Sequence, residues 1–308
     1  MEVKITQKKD LLTSIPYHIP VLLKECCDFL VTKPNGNYVD ATLGGGGHTK
    51  TILSMLSENG SLYSFDADSN AIERSTILLA EYIAKGTSIL VEQNFETIAT
   101  YAKEHNLFID GVLFDLGISS FQIDYPFTGL SYRLEAPLDM RFSQHQELSA
   151  EDVLATYTEQ EIAEMLRDYG EEPQSKAIAA KIVQRRKLSK LSSTGDLRRV
   201  VEEVVGTGKY LPTVLSRIFQ AIRIEVNDEM RILERTLQSL IDVLAPKGRI
   251  VVLTYHSLED RIVKQVFQTL KESSFGTILT KKPIVPSAEE LKKNPRARSA
   301  KLRVFEKL

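Results

Sequence analysis

The sequence predicts an α/β fold, a largely parallel sheet interrupted by an inserted all-helical domain. Three observations carry this. Four consecutive glycines follow a short apolar strand at residues 44–47 and lead straight into a helical pattern. Short apolar runs then recur between helical stretches up to about residue 120, and the pattern returns near residue 249. Between them lies a stretch with helix-start signals and no strand alternation.

Taken in order, Leu22, Leu23, Cys26 and Leu30 suit one face of a first helix. Cys26 and Cys27 are adjacent, so a bridge between them would be strained, and burial as small hydrophobes is expected. The first strand, Tyr38-Val-Asp40, ends at the glycines, which permit positive φ and leave no Cβ. A ligand can therefore lie directly on the backbone there. Ile52, Leu53, Met55 and Leu56 continue as a helix packed on the sheet. After Gly60, residues 61–65 form a second strand ending at Asp66. An acid about 20 residues beyond a glycine turn is where such folds bind ribose hydroxyls. Its two oxygens can accept both vicinal hydroxyls. Residues 88–91 give a third strand running into Phe95, which either lies against a purine face or joins the core. Residues 111–114 give a fourth, ending at Asp115.

Strand ends of this kind form a composite site at the carboxyl edge of an open parallel sheet. The nicotinamide fingerprint fits poorly, because Thr49 stands where its third glycine is expected. The layout looks more like the S-adenosylmethionine pocket of a Rossmann-like class I methyltransferase sheet, with glycines under the methionine part and the acid on the ribose.

Residues 124–145 lack periodicity and read as an ordered, irregular loop. Helix starts follow at Ser149 and Thr158, the second a full capping box through Glu161, and Gly170 makes a C′ stop. Two more helices are expected over 173–187 and 194–205, the latter started by Thr194 or Asp196. After Leu211-Pro212 the α/β pattern resumes, with Asn227 capping a long helix whose first turn holds Asp228 and Glu229. Residues 249–254 are the fifth strand, and segments near 277–285 and 299–307 are expected to close the sheet as an antiparallel hairpin edge. The expected organisation is a discontinuous sheet domain, 1–129 and 216–308, with a helical domain at 130–215 for RNA or substrate recognition.

The 43% hydrophobic and 26% charged residues describe a soluble globular chain. No apolar run approaches the ~20 residues a membrane span needs. The first ten residues have no apolar signal core, so a cytoplasmic protein without membrane association is expected. Histidines and cysteines lack metal-ligand spacing, and no metal is expected. The net charge of −2 hides two basic concentrations. Residues 176–199 carry eight basic side chains against one acid, and residues 281–308 carry nine against three. Both read either as patches aimed at phosphates or as solvated faces.

Several ordered blocks resemble one family along nearly the entire chain. They are His18-Ile-Pro-Val-Leu-Leu, Tyr38-Val-Asp-Ala-Thr with Gly-Gly-His48, Asp115-Leu-Gly-Ile-Ser-Ser with Gln122, and Pro137-Leu-Asp-Met-Arg141. Tyr169-Gly-Glu-Glu172, Phe219-Gln-Ala-Ile-Arg-Ile224 with Asn227, His256-Ser-Leu-Glu-Asp-Arg261 and Asn294-Pro-Arg-Ala-Arg-Ser-Ala-Lys-Leu-Arg303 complete the set. The sequence closely resembles the bacterial RsmH (MraW) family, which methylates the N4 amine of a cytidine in small-subunit ribosomal RNA near the decoding centre. The resemblance implies S-adenosylmethionine contacts at Gly46, Gly47, His48, Asp66, Phe95, Asp115 and Gln122. It implies small-subunit ribosomal RNA, or the assembling small subunit, as partner. Departures are Gly45, Pro173 and Ile218, where the family usually has arginine, arginine and threonine. For proton acceptance from the amine, Asp139 and His256 are the side-chain candidates, each with a loop-anchoring or helix-capping role as the alternative.

Overall fold

The computed structural model describes residues 19–118, 128–143 and 145–308. Among them, seven strands form one sheet: β1 (Asn37–Asp40), β2 (Ser61–Phe65), β3 (Ser88–Val91), β4 (Ile109–Asp115), β5 (Leu244–Thr254), β6 (Gly276–Ile278) and β7 (Lys301–Lys307). Their order is β3-β2-β1-β4-β5-β7-β6. The first five run parallel, while β7 is antiparallel to both β5 and β6. This is the largely parallel, Rossmann-like α/β sheet expected from the sequence. Winding reverses between β1 and β4, and such a reversal opens a crevice beyond their carboxyl ends.

Helices α1 (Leu23–Leu30), α2 (Gly47–Met55), α3 (Ser69–Leu78), α4 (Ala80–Ala84) and α5 (Ile98–Glu104) come before β4 or between earlier strands. Helices α6 (Ala150–Thr156), α7 (Glu159–Asp168), α8 (Ser175–Arg186), α9 (Thr194–Val205) and α10 (Leu211–Asn227) follow β4. Then come α11 (Glu229–Ser239), α12 (Ser257–Glu272) after β5, and α13 (Ala288–Lys293). By contacts the chain divides into one unit of Met1–Ser119 with Met230–Leu308 and another of Ser120–Glu229.

Strand alternation gives the sheet two apolar faces. Val112, Phe114, Ile250 and Val252 join Leu237, Val263 and Phe267 in one cluster. Leu113, Val251 and Leu253 join Cys26, Leu30, Ile52 and Leu53 in the other. Both cysteines are buried free thiols.

Several sequence expectations are corrected. The edge is not a simple hairpin, because α13 and a 3₁₀ turn at Pro295–Ser299 separate β6 from β7. Pro283 and Pro286 cannot donate to a ladder, and only Ile284 bridges to Leu302 between them. Helix α10, 17 residues long, was not foreseen; Pro212 sits in its first turn, where its missing N–H costs nothing. Asn227 ends that helix rather than starting the next, and Asp228 at φ 48 breaks the two apart. Ser149 forms a capping box as complete as that of Thr158, using Asp152 in place of a glutamate. Ser193, not Thr194 or Asp196, caps α9. Gly170 is not left-handed; Glu171 is, at φ 49. The glycine serves close approach instead, since a Cβ there would lie 2.7 Å from the Leu166 carbonyl oxygen and 2.9 Å from that of Arg217.

Candidate cofactor site

In the sheet unit, β1 ends on Asp40. Its buried carboxylate accepts the Thr49 hydroxyl at 2.6 Å and the Thr42 amide at 3.1 Å, which clips the glycine turn at both ends. Burial raises this carboxyl above its ordinary value, against the pull of those hydrogen bonds. Thr49 is therefore part of the turn's foundation. The Thr42 hydroxyl in turn accepts the Asp115 amide at 2.7 Å, tying the end of β4 to the same turn.

Within the turn Gly44 and Gly46 take φ 48 and 74, which strongly favours glycine. Gly45 has room for a Cβ, which would make only an ordinary contact with Arg74 Nη2 at 4.0 Å. Gly47 is crowded: Pro20 Cγ stands 2.4 Å from where its Cβ would be. Pro20 belongs to a short strap over the turn. The Ile19 carbonyl accepts from Asn294 Nδ2, the Leu22 amide donates to Glu290, and the Val21 carbonyl faces His48.

Asp66 lies half-buried at the end of β2, with its oxygens turned to the backbone. Oδ2 accepts the Gly44 amide at 2.8 Å and Oδ1 the Asp68 amide at 2.9 Å. Burial pushes its carboxyl up to about 7, although both amides favour the charged form. Phe95 is partly buried and meets Phe114 edge-on, with ring centroids 5.5 Å apart. It thus packs against the core while keeping some exposure.

His48 is 6% exposed, and both ring nitrogens face acceptors. Nε2 lies 3.2 Å from the Val21 carbonyl and Nδ1 3.3 Å from Asp115 Oδ2. Burial opposes a charged ring, but the Asp115 partnership prevails and holds the imidazole well above its ordinary value. Asp115 Oδ1 accepts the Tyr255 hydroxyl at 2.6 Å. Tyr255, directly after β5 and beside the candidate His256, carries no signal of its own in the sequence. Gln122 lies outside the described residues.

His256, also in this unit, caps α12: its ring Nδ1 accepts the Glu259 amide at 3.4 Å and the Glu259 carboxylate accepts the His256 amide. In the other unit, Asp139 grips Arg141 through Nε at 2.8 Å and Nη2 at 2.9 Å. Burial works to raise the Asp139 carboxyl, but the Arg141 bonds outweigh it and hold it below the usual range. Asn227 secures the same segment, accepting the Phe142 amide and donating to the Met140 and Arg223 carbonyls.

The basic concentrations are partly spent on internal partners. Lys181 pairs with Glu203, Arg199 with Asp196, Lys190 with Glu151, and Arg186 donates to the Leu154 and Tyr157 carbonyls. Lys301 and Arg303 share Asp260, and Lys307 donates to the Ile241 and Leu244 carbonyls. Lys176, Lys187, Lys281, Lys282 and Arg298 are exposed. Among the described residues no group of three or more His, Cys, Asp or Glu is arranged to hold a metal, and no helix is long and apolar enough to cross a membrane.

The sequence profile of the MraW methylase family matches residues 16–308. A protein of Clostridioides difficile (strain 630) named ribosomal RNA small subunit methyltransferase H is 43% identical over 311 residues, spanning 95% of this chain and 99% of its own. One of the same name from Brevibacillus brevis (strain 47) is 44% identical over 310 residues, spanning 95% and 98%. Among solved structures, an rRNA methylase from Streptococcus thermophilus aligns over 93% of each chain at 13% identity, with a TM-score of 0.43.

Proposed function

Since the chain belongs to the MraW methylase family, we propose that it methylates the N4 amine of a cytidine in small-subunit ribosomal RNA, near the decoding centre, with S-adenosylmethionine as donor. The observation that carries the donor assignment is the Asp66 carboxylate hydrogen-bonded to the Gly44 amide, beside a glycine turn that carries no side chain at position 45. A sugar diol can donate to the remaining lone pairs of that carboxylate, and a chain lying over the turn meets no side chain at position 45. Gly46 and Gly47 supply backbone for the methionine part, Phe95 a face for the purine, and His48 with Asp115 the support beneath. Gln122 belongs to the same proposed set.

When bound, the donor supplies an electrophilic methyl group: the carbon–sulfur bond breaks with its electron pair left on sulfur, a carbon–nitrogen bond forms, and the amine gives up a proton. The protein's part is alignment and exclusion of water, which can supply ~7–11 kcal/mol of a barrier. A cytosine amine delocalises its lone pair into the ring, so acceptors that engage its hydrogens favour the tetrahedral geometry needed for attack. The backbone carbonyls and carboxylate of the segment starting at Asp115 fit that task. Asp139 and His256 are the side-chain alternatives for the departing proton, but the ion pair of one and the capping bonds of the other favour structural roles.

For the RNA, the 120–229 unit and the basic C-terminal segment offer exposed Lys176, Lys187, Lys281, Lys282 and Arg298 for flanking phosphates. The target base must be unpaired or turned out of its stack to be reached. The deciding experiment is mass spectrometry of small-subunit RNA from cells with and without the protein. Loss of one N4-methyl mark on a cytidine is expected without it, and an unchanged modification pattern would refute the reading.

A further inference from the structure

Tyr255 faces one short segment of the neighbouring strand's exit at two points. Its hydroxyl donates to Asp115 Oδ1 at 2.6 Å. Its ring faces Gly117 across the width of a methyl group: a Cβ there would make an ordinary contact with Cδ2 at 3.5 Å, and φ is 96. Tyr255 is itself held, because its amide donates to Glu259 Oε2 at 2.7 Å and Glu259 is 1% exposed. The Asp115 carboxylate then has His48 on its other oxygen, and the Asp115 amide is fixed by Thr42. Asp115 is thereby braced at its carboxylate and at its amide, with the Tyr255 ring facing Gly117 two residues on. Filling the space needs only a ring; the hydroxyl adds a bond that directs that carboxylate.

We propose that Tyr255 is a positioning residue for the methyl-transfer step, acting through Asp115 and Gly117 to hold the segment whose oxygens engage the acceptor amine. The inference rests on the reading under Proposed function, in which the oxygens of this segment engage the amine while Asp115 also supports the donor pocket. Acceptor geometry matters more for a weak nucleophile than for a strong one, and small misplacements of reacting groups cost up to about a hundredfold in rate. The signature of such a role is a fall in rate with donor affinity preserved.

The test is Tyr255→Phe in the full chain, assayed by single turnover on small ribosomal subunits from cells lacking the protein, with S-adenosylmethionine affinity measured in parallel by calorimetry. A rate about tenfold or more below wild type is expected, with affinity within about twofold and the melting temperature little changed. A rate within twofold of wild type overturns the proposal. So does a loss of donor affinity in proportion to the loss of rate, which would put Tyr255 in the donor site. Gly117→Ala, which retains the hydroxyl but strains the backbone of this segment at φ 96, should show the same split, and an unchanged rate there overturns the proposal if the phenylalanine variant melts below the assay temperature. A wild-type chain that binds the donor yet leaves the subunits unmethylated would instead refute the functional reading.

Discussion

The Pro20 ring occupies the space that a side chain on Gly47 would need, with Cγ 2.4 Å from the Cβ position. Glycine is required here for packing, not for backbone freedom, because Gly47 is absent from the positive-φ residues. Gly47→Ala must push Pro20 away and with it the Val21 carbonyl that faces His48. Overpacking of this kind costs about 1–3 kcal/mol. A lowered melting temperature is expected, together with weaker donor binding; an unshifted melt would show that the strap yields freely.

Asp66 should make donor binding depend on pH. Its carboxyl is pushed up to about 7, so the charged form that best accepts a diol appears only as pH rises through that value. Affinity should therefore be roughly tenfold tighter at pH 8 than at pH 6, by calorimetry. Folding runs the other way. The folded chain holds this proton more tightly than the unfolded one, so the group favours the folded state at low pH, and that contribution is lost as pH climbs toward 7. Asp66→Asn should flatten the binding profile, and Asp66→Ala should weaken binding by about 1–3 kcal/mol.

Asn227 carries three hydrogen bonds, to the Phe142 amide and the Met140 and Arg223 carbonyls, while 3% exposed. Asn227→Ala leaves these groups without their partner, at about 1–3 kcal/mol for each one left buried and unsatisfied. The 120–229 unit should then lose protection in hydrogen exchange around residues 139–142. Uniform protection in the variant would contradict this.

Asp139 and His256 can be told apart from bases by rate. Arg141 keeps the Asp139 carboxyl below the usual range, which makes it a weak proton acceptor at neutral pH. Asp139→Asn and His256→Ala are expected to leave single-turnover rates within a few-fold of wild type. The histidine variant should lose about 0.5–2 kcal/mol of stability with its cap. A rate loss of a hundredfold or more in either would restore side-chain base catalysis.

Much of the sheet was legible because apolar strands separated by glycine-bearing turns leave a clear trace. Residues 61–65 and 88–91 coincide with β2 and β3. Helix α10 was hidden because its buried face, from Val214 through Ile222, is rich in β-branched residues that favour strands as readily as helices. The glycine turn and Asp66 announced themselves by type and spacing. Tyr255 and Thr42 did not, since each matters through a partner 140 or 73 residues away along the chain. Charge counts misled in a different way: Arg303 and Lys307 look like bait for phosphate in the sequence, yet they are bonded to Asp260 and to backbone carbonyls.

The placement of β7 also bears on how the chain can be made. Its ladder joins Arg249–Thr254 on one side to Gly276–Ile278 on the other, so β6 has no neighbour until residues 301–307 arrive. Synthesis is vectorial, and a nascent chain still lacking those residues presents the open flank of β5 to its surroundings. Closure of the sheet thus waits until the other six strands have been made.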